Sequence, residues 1–284
     1  MRIQIFEPSK HNWTSIMEKA EMFHKELDAV FGNAPLAEPF LWMISITVGI
    51  TFCIIVYEVM RIISPIYSYS YNKLSKQDQV EWNNRGFSTA HALLVTVVSG
   101  YLLLFSNLFS DTAPYGQVVF RSTIFSQFIL GVSTGYFLYD LYLIIAHYPA
   151  LGRLEFVFHH IFSLAALLLA LHSGYAHIYL YMILFTESTT PFVNIRWYLS
   201  AIGLKRSNAY VVNGLMLFLV WLVARVLIFV YFFSHIYLHF DQVRQLHSAG
   251  FYFLFITPPL LAIMNLFWFG KIVNGLVKAL IKKS

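Results

Sequence analysis

An all-α, polytopic membrane protein with about seven transmembrane helices is the fold class this sequence predicts, and three observations predict it. Composition is the first: 58% of residues are apolar, 12% are charged and mean hydropathy is +0.63, outside the range of soluble domains. The second is a series of seven apolar segments, each close to the ~20 helical residues that cross a hydrocarbon core. They fall near 40–63, 87–109, 124–146, 154–172, 176–198, 209–237 and 250–275. The third is an uneven distribution of basic residues. Arg61, Lys73, Lys76, Arg85, Arg153, Arg196, Lys205, Arg206, Lys271 and the tail lysines fall on one side, against only Arg121 and Arg244 in the loops of the other. The first side is therefore expected to be cytosolic, with the N-terminus lumenal or exterior and the C-terminus cytosolic. Four further basic residues before the first span weaken the contrast without reversing it.

Ahead of the first span, Trp13, Ile16, Met17, Ala20, Phe23, Leu27, Val30 and Phe31 recur at helical spacing and stop at Gly32-Asn33-Ala34-Pro35. They predict an amphipathic helix on the lumenal membrane surface. Asn12-Trp13-Thr14 on it is a glycosylation sequon. No signal peptide is expected, since charged residues precede the first apolar stretch. Ser64-Pro65, Ala113-Pro114-Tyr115-Gly116, Pro149 to Gly152 and Ser173-Gly174 punctuate the spans. Tyr67, Tyr69, Tyr71 and Trp82 read as interfacial aromatics, and Ser75 with Asp78 as a capping box.

Several function classes are excluded or disfavoured. The net charge of +5 is small and dispersed, so no nucleic-acid partner is expected. Cys53 is the only cysteine and forms no intrachain disulfide. One histidine pair is too few ligands for a di-iron desaturase, so no metal is expected. The seventh span has no mid-membrane lysine to carry a retinal.

Ionisable side chains in a membrane are costly, and each is by default a site candidate. At ~1.5 Å per residue from the cytosolic helix ends, His91, Asp140, His159, Glu187 and Asn265 fall in one layer roughly 8–14 Å deep. Five helices converging on one depth predict a polar pocket open to the cytosol. Ser126, Ser133, Asp140 and His147 share one face of the third span, with Tyr136 a turn from Asp140. That stripe reads equally as a hydrogen-bonded packing seam. His160 points about 100° away from His159, and which of the two acts stays open. Glu187, Thr190, Pro191 and Asn194 share a face of the fifth span, where Pro191 removes a backbone donor. Arg225, in the middle of the sixth span, requires a partner, Glu187 or Asp140. Asn265 reads as an interhelical hydrogen bond or a binding group, His91 as site or packing, and Glu58 as the partner of Arg61.

These residues carry a resemblance. Glu81-Trp-Asn-Asn-Arg85 with Ser88 and His91, Gly135-Tyr136 with Asp140, His159-His160, and Glu187-Ser-Thr-Thr-Pro-Phe-Val-Asn194 followed by Arg196-Trp197 resemble, in order, the TLC-domain family of multispanning lipid-handling proteins. The resemblance is greatest to the branch called TLC domain-containing protein 4. It implies a barrel of six helices, the second to seventh spans, around a lipid-sized pocket, and residence in the endoplasmic reticulum. The chain then divides into a lumenal segment 1–38, a first span and cytosolic loop 39–77, a TLC domain 78–277 and a basic cytosolic tail 278–284. In the ceramide synthases of the same family, the paired histidines serve acyl transfer. Where those enzymes carry a His-Asp followed by a further Asp, this chain reads Thr186-Glu187-Ser188-Thr189-Thr190, which turns the expectation away from ceramide synthesis.

The expected function is therefore lipid binding and membrane lipid homeostasis in the cytosolic leaflet. The alternative is a ceramide-synthase-like acyltransferase, with His159, His160, Asp140 and Glu187 catalytic and acyl-CoA as co-substrate. A membrane protein-sorting receptor is a third reading. In either of the first two, His91, Tyr136, Asn194, Arg225 and Asn265 would bind substrate. Membrane lipids are the expected partners, with self-association left open, and no resident cofactor is expected.

Overall fold

The computed structural model describes Met22, residues 37–113 and residues 116–281. The predicted amphipathic helix apart from Met22, the Asn12 sequon, Pro114-Tyr115 and the last three residues lie outside the described residues. The described chain is helical, with no strand among the described residues. We number the α-helices in chain order: α1 (Ala37–Tyr67), α2 (Lys76–Leu104), α3 (Ile124–Ala146), α4 (Leu154–Ser173), α5 (His177–Phe185), α6 (Thr190–Ala201), α7 (Asn208–Trp221), α8 (Ile228–Leu238), α9 (Phe240–Val243) and α10 (Ser248–Ile281). Six stretches are long and apolar enough to cross a membrane: Pro39–Tyr67, Lys76–Leu104, Ile124–Ala146, Leu154–Ser173, Asn208–Leu238 and Ser248–Val277. Large apolar side chains such as Met43, Ile55, Ile62, Val97, Val230 and Ile263 point outward, as they do when the surrounding solvent is lipid. The protein is an integral, multi-pass membrane protein.

Local signals set the helix ends. Ser75 Oγ accepts from Asp78 N at 3.1 Å and opens α2, which runs on without a break into the second apolar segment. Thr123 and Ser126 form a reciprocal capping box on α3. Gly174, at φ 70°, ends α4 in the left-handed conformation that a helix stop requires. One expected break is overrun: α1 continues past Ser64-Pro65 to Tyr67. Pro258 and Pro259 lie inside α10. Tyr67 and Tyr69 are exposed, as interfacial aromatics should be. Tyr71 and Trp82 instead turn inward, Tyr71 Oη accepting from Asn83 Nδ2 at 3.2 Å and Trp82 Nε1 donating to Ser64 Oγ at 3.0 Å.

The fifth apolar segment is not the continuous span expected over 176–198. α5 ends at Phe185, a 3-10 turn covers Thr186–Thr189, and α6 restarts at Thr190 with Pro191 in its first turn. Pro191 has no N–H to offer Glu187 O, and Thr190 N donates to that carbonyl in its place. Thr186 O thereby loses its helical partner. It accepts from Thr189 Oγ1 at 3.0 Å and from Arg225 Nε at 3.2 Å. The sixth apolar segment is irregular at the same place, since α7 and α8 are joined through a π-helical stretch, Leu222–Leu227, that holds Arg225.

α1 packs chiefly on α3 through small residues. Gly131 lies against Ser45, and Gly135 against the backbone at Ile46 and Gly49. Close backbone approach through residues four apart is how helices associate where no hydrophobic effect drives them together.

Candidate functional site

Helices α2, α3, α4, α6, α7 and α10 enclose a cavity of about 460 Å³. Its wall reaches Glu81, Arg85, Leu151, Arg196 and Lys271, so it extends to the basic end of the bundle. Deeper in, the wall is formed by Asn84, Tyr136, Asp140, His159, His160, Glu187, Asn194 and Arg225. A second, narrower cavity of about 90 Å³ lies between α4, α5 and α10 and runs the other way, toward Ser173, Tyr175 and His247. Leu167, Ala170, Leu184, Phe253 and Leu254 make it apolar. The two cavities share Phe137, His159 and Glu187.

Of the residues expected in one polar layer, Asp140, His159 and Glu187 line the large cavity, while His91 and Asn265 are absent from its wall. His91 is fully buried, its Nε2 3.2 Å from Ser133 Oγ and its ring stacked 3.7 Å from that of Tyr136. It belongs to the packing seam and reaches the cavity through Tyr136 and Phe137. The serine stripe is part of the same seam, with Ser126 Oγ 2.9 Å from His177 Nδ1. His147 leaves the stripe as the half-buried C-cap of α3. Asn265 stands behind Arg225 and accepts from its Nη1 at 3.2 Å, the interhelical bond that was one of its two expected roles.

The two histidines are in different chemical situations. His160 is buried, with Nδ1 2.9 Å from Phe156 O and Nε2 2.7 Å from Asp140 Oδ2. A carbonyl only accepts, so Nδ1 carries a proton, and the Nε2–Oδ2 contact is held by a second. Asp140 Oδ1 accepts from Asn84 Nδ2 at 2.5 Å, which fixes the carboxylate on its other side. Both nitrogens of His160 are thus committed. His159 Nδ1 is buried and has no hydrogen-bond partner among the described residues. His159 lies where the two cavities meet.

Glu187 is paired as expected, its Oε1 3.6 Å from Arg225 Nη2 and its Oε2 accepting from Thr190 Oγ1 at 2.7 Å. Arg225 also donates through Nε to Thr189 Oγ1 at 2.8 Å and packs over the Trp221 ring. A mid-span guanidinium is tolerated here because each of its three nitrogens faces an acceptor or a carboxylate inside the protein. Asn194 clamps α6 to α2, donating to Ser88 Oγ at 2.9 Å and Thr89 Oγ1 at 2.8 Å and accepting from Arg85 Nη1 at 2.8 Å. Arg85 in turn binds Glu81 at 2.6 Å.

Asn84, Arg85, Arg196 and Lys271 are wall residues that the sequence-derived site does not contain. The first two were visible in the Glu81–Arg85 motif, Arg196 in the Arg196-Trp197 pair, and Lys271 only as a topology signal. Arg196 lies over the Tyr210 ring and Lys271 over the Phe267 ring, and neither has a carboxylate within ion-pair distance among the described residues. Two unpaired cations at the mouth favour a ligand that carries negative charge.

The TLC-domain family profile matches residues 81–274, most of the chain and all of the cavity wall except Gly275 and Leu276. The chain belongs to the TLC-domain family. Among the similar proteins, TLC domain-containing protein 4 of Homo sapiens is 29% identical over 233 residues, 81% of this chain and 87% of its own length. TLC domain-containing protein 4-B of Xenopus laevis is 30% identical over 213 residues, 74% of this chain and 79% of its own. Topoisomerase I damage affected protein 4 of Saccharomyces cerevisiae is 29% identical over 192 residues. No solved structure matches the chain. In TLC-domain terms, the family match takes in both histidines, Asp140, Glu187 and Arg225, and leaves α1 outside it.

Proposed function

We propose that this TLC-domain protein binds and handles lipids of the cytosolic leaflet, in the endoplasmic reticulum, with its basic end facing the cytosol. One observation supports this reading above others: a cavity of about 460 Å³ that carries charged and polar side chains on its wall meets a smaller apolar one at His159 and Glu187. A charged headgroup suits the first, with Arg196 and Lys271 at its mouth, and an acyl chain suits the second. Direct analysis of lipid bound to the purified protein tests the proposal. A defined anionic lipid, lost from an Arg196→Gln, Lys271→Gln variant, supports it; a cavity that carries no lipid from membranes to purification sinks it.

Acyl transfer is the second reading, and the place of the His159 imidazole on the wall of both cavities favours it. The imidazole would attack the thioester carbonyl of an acyl-CoA, expel the thiolate and pass the acyl group to a lipid amine or hydroxyl, whose proton ends on the released thiol. His160, tied to Asp140, would position the neighbouring turn rather than react. Radiolabelled acyl chains bound covalently to the wild type and absent from His159→Ala would establish this chemistry. Stoichiometric lipid with no label would leave binding alone.

A further inference from the structure

The geometry points to a divalent transition-metal site at the end of the bundle opposite the basic loops, built by Asp111, His235 and His239. One ligand atom from each lies within 4.8 Å of the others. His235 and His239 are four residues apart on α8 and its C-cap, with their rings stacked at 4.1 Å, so both present an edge to the same side. Asp111 comes from the loop between α2 and α3. That loop is organised around Arg121, which is buried and donates to the carbonyls of Leu108, Ser110, Ala113 and Gly116. Gln242 Oε1 ties the same loop to α9 by accepting from Val119 N at 3.1 Å. The carboxylate is therefore presented by a structured loop.

The protonation pattern supports a metal over a simple ion pair. His239 Nδ1 lies 3.0 Å from His235 O, a group that only accepts, so Nδ1 carries the proton. Its Nε2 then faces Asp111 Oδ1 at 3.0 Å, two acceptors opposed unless a proton or a cation lies between them. A proton there satisfies those two atoms and does nothing for His235. That residue is 3% exposed, and its Nε2 is buried with no hydrogen-bond partner among the described residues. Where Nδ1–H donates to Tyr179 Oη, 3.2 Å away, this Nε2 is left with a lone pair to offer. A metal ion engages all three atoms at once. A ligand histidine whose other nitrogen donates to a backbone carbonyl is a usual outer-shell arrangement, and His239 has it.

Two imidazoles and one carboxylate suit Zn²⁺ or a similar first-row ion, with at least one position left for water. Metal–ligand bonds of about 2.0–2.1 Å put tetrahedral ligand atoms about 3.3 Å apart. The His239–Asp111 separation of 3.0 Å is already close to that, and no pair in the cluster exceeds 4.8 Å. A bound ion would staple the α2–α3 loop to the end of α8. No metal is predicted from sequence because the only cluster in view there is the His159-His160 pair, and Asp111 lies far along the chain from His235.

Titration of the purified, chelator-stripped full chain with Co²⁺, followed by displacement with Zn²⁺, tests the site. The expected result is one ion per chain with visible Co²⁺ absorption. His239→Ala and Asp111→Ala should each weaken binding by about tenfold or more while melting like the metal-free wild type, and His159→Ala should bind normally. Asp111 is exposed, so its variant keeps the test informative should His239→Ala fail to fold. Absence of stoichiometric binding, wild-type affinity in Asp111→Ala, or binding that disappears with His159 would overturn the assignment.

Discussion

Arg225 Nε donates to Thr186 O at 3.2 Å, so the sixth apolar segment satisfies the carbonyl that the break in the fifth leaves without a helical partner. Backbone polar groups in a membrane must be satisfied within the protein. Arg225→Ala removes that donor and also leaves Glu187 as an unpaired buried carboxylate. The expected loss is about 3–5 kcal/mol, read as a large fall in melting temperature in detergent. Arg225→Lys should recover only part, because an ammonium does not reproduce the planar fork of donors.

His160 and Asp140 form a coupled pair, whereas His159 stands apart. A double-mutant cycle on His160→Ala and Asp140→Ala should give a coupling of about 0.5–3 kcal/mol in unfolding measurements. His159→Ala deletes a side chain whose buried nitrogen has no partner, so it should cost clearly less stability than His160→Ala. Equal losses for the two histidines would contradict the arrangement.

Gly135 is one of the points of close approach between α1 and α3, and any side chain there meets the backbone of α1. Gly135→Leu should cost about 1–3 kcal/mol or detach α1. Gly270, on the exposed face of α10, leaves open space for a methyl group among the described residues. Gly270→Ala should therefore be neutral or stabilising by up to about 1 kcal/mol. Thermal melting of the two variants side by side checks both.

Arg196 and Lys271 carry the charge preference of the cavity mouth. Wild-type binding of an anionic lipid should weaken as salt rises, because exposed cations are screened over about 10 Å at 0.1 M salt. The Arg196→Gln, Lys271→Gln variant should bind more weakly and lose most of that salt dependence. Fluorescent lipid binding across a salt series measures both effects.

Much of the site was legible from individual side chains. A carboxylate, a guanidinium and imidazoles inside apolar runs are costly enough that Asp140, Glu187, Arg225 and His159 stood out, and all four line the cavity. His91 and Asn265 satisfied the same criterion of depth, yet packing put them one layer behind. Depth follows from counting residues, but orientation depends on how each helix is rotated against its neighbours. The fifth span misled for a related reason. Its hydropathy is continuous, and Pro191 signalled a loosened turn, but only the position of Arg225 shows how two short helices and a 3-10 turn can replace one helix.

The sequence by itself determined that this chain is helical and lives in a membrane, because apolar runs of span length satisfy their own backbone hydrogen bonds and need no distant partner. Tertiary structure decided which histidine is bound to Asp140, which is free between two cavities, and that Asp111 meets His235 and His239. Those outcomes rest on contacts between residues far apart in the chain, such as Asn194 with Arg85 across 109 positions, and no local pattern encodes the rotation that brings them together.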